Sequence, residues 1–264
     1  MVTFANLLLK QKKKPLSDSI VLIPTYNEIE NVEAIIRKTF SFSDEPSEVG
    51  KYFEILIIDD GSPDGTAEAV KKLQEEFPAR LHLMQRQGKQ GLGTAYIAGF
   101  KWGLEREYEY FFEMDADFSH NPKDLIRLHA ACHKEGGDVA IGSRYIKGVN
   151  VVNWPMSRVL LSYFASRYVR IILRIPFQDT TAGFMCYHRK VLKRMNFKSI
   201  KFVGYAFQIE MKYIAYKLGF KVTEIPVIFT DRARGNSKMS NNIIREAVFG
   251  VLQLKMRNLL KRYK

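Results

Sequence analysis

The chain has 264 residues, 46% hydrophobic and 26% charged, enough to bury one large core or two modest ones. Its 41 Lys and Arg outnumber 28 Asp and Glu, and the net charge of +13 attracts polyanions: nucleic acid, an anionic membrane surface or phosphorylated substrates. No helix-turn-helix, zinc-finger or RNP-like pattern supports nucleic acid, and no run approaches the roughly 18 to 20 apolar residues of a membrane span.

At the N-terminus, Leu7-Leu8-Leu9 precedes Lys10 and Lys12-Lys13-Lys14. A secretory leader has the reverse order of charge and apolar run, so export is not expected. Cys132 and Cys186 lie in different segments, with neither metal-site spacing nor a disulfide framework, which fits a reduced cytosolic interior.

In chain order, Ile20-Val21-Leu22-Ile23 reads as a strand, followed by an amphipathic helix from Glu30 to Phe40. Ile55-Leu56-Ile57-Ile58 precedes a helix from Thr66 to Phe77, and Leu81-His82-Leu83-Met84 one from Gly93 to Leu104. Tyr110 to Met114 leads to Lys123–Cys132, and Asp138-Val139-Ala140-Ile141 follows. Such alternation with continuous apolar strands predicts an α/β fold, its mostly parallel sheet covered by helices on both faces. Later come an apolar helix with arginines (Met156 to Phe177), a strand at Phe184 to Tyr187, a helix at Phe207 to Leu218 and a strand at Val222 to Phe229. The last two strands are expected to extend the sheet. Asn242 to Tyr263 repeats apolar residues at helical spacing among Arg and Lys, as in a basic amphipathic interface helix.

Ligands of open α/β sheets sit beyond the carboxyl ends of the strands. The polar motifs fall there. Pro24-Thr25-Tyr26-Asn27-Glu28 follows the first strand, and Asp59-Asp60-Gly61-Ser62 the second, with acceptors suited to a base edge or ribose hydroxyls. Gly88-Lys89-Gln90-Gly91-Leu92-Gly93 offers flexible backbone and a cation before a helix, a setting that favours phosphate oxygens. Asp115-Ala116-Asp117 closes the fourth strand and Gly142-Ser143-Arg144 the fifth. Residues i and i+2 of an extended segment point the same way, so Asp115 and Asp117 converge. Like charges held close favour a cation between them, and a hard divalent ion fills its remaining sites with water and substrate phosphate. His120, beside the pair, reads as structural support for it.

In order and spacing the first four of these motifs resemble the inverting family-2 glycosyltransferases. Gly142-Ser143-Arg144-Tyr145, Asp179-Thr180-Thr181-Ala182-Gly183-Phe184, Gly204-Tyr205-Ala206-Phe207-Gln208-Ile209-Glu210 and Asp231-Arg232-Ala233-Arg234-Gly235-Asn236-Ser237-Lys238 narrow the likeness to the dolichyl/polyprenyl-phosphate mannosyltransferases. That resemblance implies a GT-A type nucleotide-diphospho-sugar transferase fold over residues 20–240, after an N-terminal extension (1–19) and before a basic amphipathic helix (241–264). It implies GDP-mannose as donor, a polyprenyl phosphate as acceptor and Mg²⁺ or Mn²⁺ as cofactor, at the cytosolic face of a membrane.

Carried over by position, Pro24, Tyr26, Glu28 and Asp59 or Asp60 hold the guanosine. Lys89 and Ala116 join the substrate-binding set. Asp115 and Asp117 bind the metal and diphosphate, with Ser119 orienting that shell; some relatives place a Gln there. Arg232 and Lys238 reach the donor phosphates, and Arg144 and Arg158 the lipid phosphate. Asp117, Arg144 and Arg232 are expected to carry the chemistry. A phosphate monoester, with a second pKa of about 6, is already largely ionised at neutral pH and needs no strong general base. The competing readings are a UDP-glucose or UDP-GlcNAc transferase and a non-catalytic membrane-docking module; retention of both carboxylates speaks against the second.

Overall fold

The computed structural model describes residues 16–43, 53–204, 206–231 and 249–257. The N-terminal lysine run, Arg232, Lys238 and most of 241–264 lie outside the described residues. A seven-stranded sheet organises the rest. Its strands are β1 (Ser19–Thr25), β2 (Phe53–Asp59), β3 (Leu81–Gln85), β4 (Tyr110–Glu113), β5 (Val139–Ser143), β7 (Met185–His188) and β8 (Val222–Pro226), in spatial order β3-β2-β1-β4-β7-β5-β8. A separate pair joins β6 (Val151–Val152) to β9 (Phe229–Thr230) in parallel.

Helices α1 (Val32–Ser43), α2 (Thr66–Glu76), α3 (Leu92–Leu104) and α4 (Asp124–His133) follow the first four strands. Next come α5 (Met156–Leu173), α6 (Arg189–Arg194) and α7 (Ala206–Lys217), and a last helical segment spans 249–257. Every residue of β1 and β2 but Pro24 is buried, and their alternate side chains feed two cores. Ile20, Leu22, Leu56 and Ile58 pack with Tyr96 and Phe100 of α3 and Val169 and Leu173 of α5. Val21, Ile23, Ile55 and Ile57 pack with Ile35 and Ile36 of α1, Val70 of α2 and Leu128 of α4. A sheet apolar on both faces is thereby covered on both.

Three details depart from the sequence expectation. Strand β7 joins the sheet as expected, but in its interior, antiparallel between β4 and β5, rather than at an edge. The run Val222 to Phe229 divides into β8 at the edge and β9 in the small pair. Helix α5 stops at Leu173 rather than Phe177, because Arg174 turns left-handed (φ 54°) and Ile175 precedes Pro176, where helical backbone is disfavoured.

Candidate active site

The carboxyl ends of β1, β2, β3, β4, β5 and β8 share one rim, and the loops leaving them touch. In the β1 loop, Glu28 O accepts from the backbone N–H groups of Asn31 and Val32, so the chain turns before α1 begins. That loop is hung from the next one: Asn27 N donates to Ser62 Oγ (3.0 Å), Glu28 N to Thr66 Oγ1 (3.1 Å) and Ile29 N to Asp64 Oδ2 (3.1 Å). Glu28 Oε2 accepts from Asn31 Nδ2 at 2.9 Å.

Asp59 and Asp60 separate in role. Asp59 is fully buried and accepts from Thr25 Oγ1, Gly61 N, Ser62 N and Ser62 Oγ, so its carboxylate shapes the turn. Asp60 faces the β3 loop, where Gln90 N donates to it at 3.2 Å and Arg86 Nη1 lies 3.3 Å away. Burial raises the Asp60 pKa, against the pull of Gln90 and Arg86. The close approach needs glycine: Gly61 has φ +71°, and a Cβ there would stand 3.0 Å from Gly88 N. Lys89 Nζ lies 5.1 Å from the centre of the Tyr26 ring. The loops carrying Pro24, Tyr26, Glu28, Asp60 and Lys89 therefore form one continuous wall.

The carboxylate pair ends β4 at the next position along the rim. Asp115 is partly exposed, whereas Ala116 and Asp117 are buried. Phe118 takes a left-handed turn (φ 60°) that brings Ser119 N back onto Asp117 Oδ1 at 3.0 Å. Ser119 Oγ is buried with no hydrogen-bond partner. No three His, Cys, Asp or Glu among the described residues converge tightly enough to hold a metal alone. Two carboxylates and an unpartnered hydroxyl fit a hard divalent ion that completes its shell with water and phosphate. His120 is stacked on Phe184 (4.7 Å) and meets Phe229 edge-on (5.2 Å); burial lowers its pKa to about 4, so it is a neutral packing group at pH 7.

Beyond His120 the rim turns basic. Arg144 is buried and donates from N and Nε to Asp179 Oδ2 (2.9 and 2.7 Å) and from Nη2 to Asp179 Oδ1 and Thr181 Oγ1 (2.7 Å each). Burial alone would lower the Arg144 pKa and raise that of Asp179; their mutual attraction outweighs it and reverses both. Arg158, in the first turn of α5, donates from Nη1 to Asp231 Oδ1 (2.9 Å) and lies over Trp154 at 4.1 Å. Thr230 N donates to Ser119 O at 3.2 Å, which ties the carboxylate loop to β9 and so to Asp231. Asp179, Asp231 and Trp154 were not among the site residues read from sequence. Each acts through a partner at least four residues away, and no local pattern marks such a pairing.

Residues 20–196 match the model of "Glycosyl transferase family 2". The chain belongs to that family. This transferase is 44% identical over 249 residues to a polyprenol monophosphomannose synthase of Mycolicibacterium smegmatis, covering 94% of this chain and 91% of that one. It is 41% identical over 232 residues to an undecaprenyl-phosphate mannosyltransferase of Micrococcus luteus, covering 88% and 91%. Among solved structures, the transferase resembles a mannosyltransferase from Pyrobaculum calidifontis in complex with GDP-Man and Mn²⁺ (TM-score 0.58, 18% identity, 98% of this chain and 70% of that one). It also resembles a glucosyl-3-phosphoglycerate synthase from Mycobacterium tuberculosis (TM-score 0.61, 17% identity, 89% and 78%). At those identities the structures establish the α/β GT-A fold.

Proposed function

We propose that the chain transfers mannose from GDP-mannose to a polyprenyl phosphate at a membrane surface, with inversion at the sugar carbon and with Mg²⁺ or Mn²⁺ as cofactor. One observation carries the reading: the hydrogen bond from Thr230 N to Ser119 O places the carboxylate loop beside Arg158 and the foot of α5. A donor diphosphate, an acceptor phosphate and a lipid tail thus have adjoining places. The names of the two relatives describe that same kind of product.

The loops after β1, β2 and β3 would hold the nucleoside, with Asp60 offering an acceptor and Lys89 a cation near the phosphates. Asp115, Asp117 and Ser119 would hold the divalent ion, which when bound offsets the negative charge developing on the departing diphosphate. Arg144 and Arg158 would orient the acceptor phosphate, whose oxygen attacks the sugar carbon as the bond to the diphosphate breaks. With an ionised nucleophile and a buried neutral His120, no proton transfer is required of the protein. Arg232 and Lys238, outside the described residues, would reach the donor phosphates.

Helix α5 suits a lipid acceptor. It buries Ser166, Val169 and Leu173, yet exposes Met156 (70%), Leu160, Leu161, Phe164 (56%) and Ile171 (64%) beside the exposed Arg167 and Arg174. Segment 249–257 likewise buries Val251 and Leu254 and exposes Phe249, Leu252 and Met256. Among the described residues, no helix is long and apolar enough to cross a membrane. Apolar ridges flanked by arginines enter the interfacial layer of an anionic bilayer.

Purified protein given GDP-mannose, Mn²⁺ and polyprenyl phosphate should yield a lipid-linked mannose, and a chelator should abolish it. Product from UDP-glucose but not GDP-mannose would overturn the donor, and transfer only to a glycan would overturn the acceptor.

A further inference from the structure

Arg144 and Arg158 reach the rim from different parts of the chain, one directly after β5 and one in the first turn of α5. Each is fixed by its own carboxylate. Asp179 grips Arg144 and is itself held from β8, where Glu224 Oε1 accepts from Asp179 N at 2.9 Å; Asp231 accepts from Arg158. Trp154 is the ring that both guanidiniums share. Arg158 Cζ stands 4.1 Å from its centre and Arg144 Cζ 5.6 Å. The indole also meets Phe229 edge-on at 5.2 Å, and Phe229 meets His120 of the carboxylate loop in the same way.

The backbone leaves this ring little freedom. Asn153 takes a left-handed turn (φ 62°) directly after β6, and Pro155, the cap of α5, follows Trp154 at once. Asp231 hangs from the same small strand pair, its N donating to Val152 O at 3.1 Å. Trp154 Nε1 is buried and donates to nothing, so no hydrogen bond directs the indole and its ring contacts do. Two guanidiniums brought together repel, and a carboxylate set between them would put oxygens where a phosphate has to bind. The negative face of an aromatic ring attracts a cation without offering such an oxygen.

We propose that Trp154 is a positioning residue for the acceptor phosphate: its ring holds the Arg144 and Arg158 guanidiniums at the separation at which both meet one phosphate group. This rests on the function proposed above, in which those two arginines receive that phosphate. Without the ring, each arginine keeps its aspartate yet shifts freely relative to the other. Affinity for the acceptor then falls, while the nucleoside wall built by the loops after β1, β2 and β3 keeps its form. A phenyl ring serves in large part, because the contact runs through the π face.

Trp154→Leu and Trp154→Phe test it, each alone and combined with Arg158→Gln, through kcat and KM toward polyprenyl phosphate and GDP binding with Mn²⁺ by calorimetry. Trp154→Leu should raise KM about tenfold, lower kcat by less and bind GDP within about twofold of wild type, and Trp154→Phe should recover most of the loss. In the Arg158→Gln background the Leu change should cost far less, since its nearer partner is gone. A second reading needs no change at the site. The chain has two tryptophans, so Trp102→Phe leaves Trp154 as its single indole. The fluorescence of that variant should change saturably with polyprenyl phosphate and stay constant with the phosphate-free polyprenol. An unchanged KM in Trp154→Leu, an equal loss in both backgrounds, or a response to polyprenol as large as that to its phosphate would overturn the positioning role. A wild-type enzyme inert toward polyprenyl phosphate would instead overturn the underlying functional reading.

Discussion

Arg144 and Asp179 meet through two parallel hydrogen bonds of 2.7 Å, Nε to Oδ2 and Nη2 to Oδ1, with the aspartate wholly out of solvent. A planar guanidinium matched by both oxygens of a carboxylate is fixed in direction as well as place. Removing one partner strands the other charge in the interior. Asp179→Ala should therefore cost about 3 to 5 kcal/mol of stability, read by urea denaturation, and raise KM for polyprenyl phosphate. Asp179→Ala with wild-type KM would show that Arg144 does not meet the acceptor.

Asp117 supplies one of the two carboxylates and also turns the loop through Ser119 N. Asp117→Asn keeps the shape and deletes the charge. Turnover with Mn²⁺ should fall about 10²- to 10³-fold while the circular dichroism spectrum stays that of wild type. Unchanged turnover would remove Asp117 from the ion's ligands.

Gly61 combines a left-handed backbone with a 3.0 Å approach to Gly88 N. Gly61→Ala must strain the turn by about 1 to 2 kcal/mol and push the β3 loop outward. Weaker GDP binding, measured by calorimetry, is the expected result, with Asp60 and Lys89 displaced together.

His129, distant from the rim, is buried against Tyr110 (4.4 Å), with Asp18 3.9 Å away. Burial and the neighbouring His133 and Lys134 lower its pKa to about 4, against the pull of Asp18. In the unfolded chain a histidine takes up a proton near pH 6.5, so between there and about pH 4 the unfolded state binds more protons than the folded one. Stability from this group is complete above pH 6.5 and falls as pH drops through that window, by about 3 kcal/mol in full. His129→Phe should flatten the acid limb of a stability–pH curve; an unaltered limb would place the loss elsewhere.

The exposed ridge of α5 predicts a separation of binding from chemistry. Leu160→Glu with Phe164→Glu should abolish co-sedimentation with anionic vesicles and leave GDP binding intact. Retained sedimentation would move the docking face to segment 249–257.

The architecture was legible in the first half of the sequence because strands buried on both faces read as unbroken apolar runs, as Ile55-Leu56-Ile57-Ile58 does. The rim motifs were legible because each follows a strand directly. What escaped were relationships that only packing creates. The direction of β7 is set by its neighbours rather than by Met185-Cys186-Tyr187-His188 itself. Asp179 opens a motif in the sequence, but its role shows only when Arg144, 35 positions earlier, is seen folded onto it. Lys212 resembles any solvated helix lysine, and only its full burial against Ala182 O and Gln208 O shows that it is interior. Likewise Asp59 and Asp60, equivalent as letters, part company once Thr25 and Ser62 claim the first.

The reversed course of β7 has a topological consequence. A strand running with its neighbours delivers its downstream segment to the ligand crevice; β7 delivers its upstream one. The chain thereby feeds a counter-ion to the crevice ahead of the strand, on a detour bounded at one end by Glu224 and at the other by Lys212. A variant that shortened this detour could keep every strand and still lose the guanidinium's anchor, so length here is a constraint on chemistry rather than on folding.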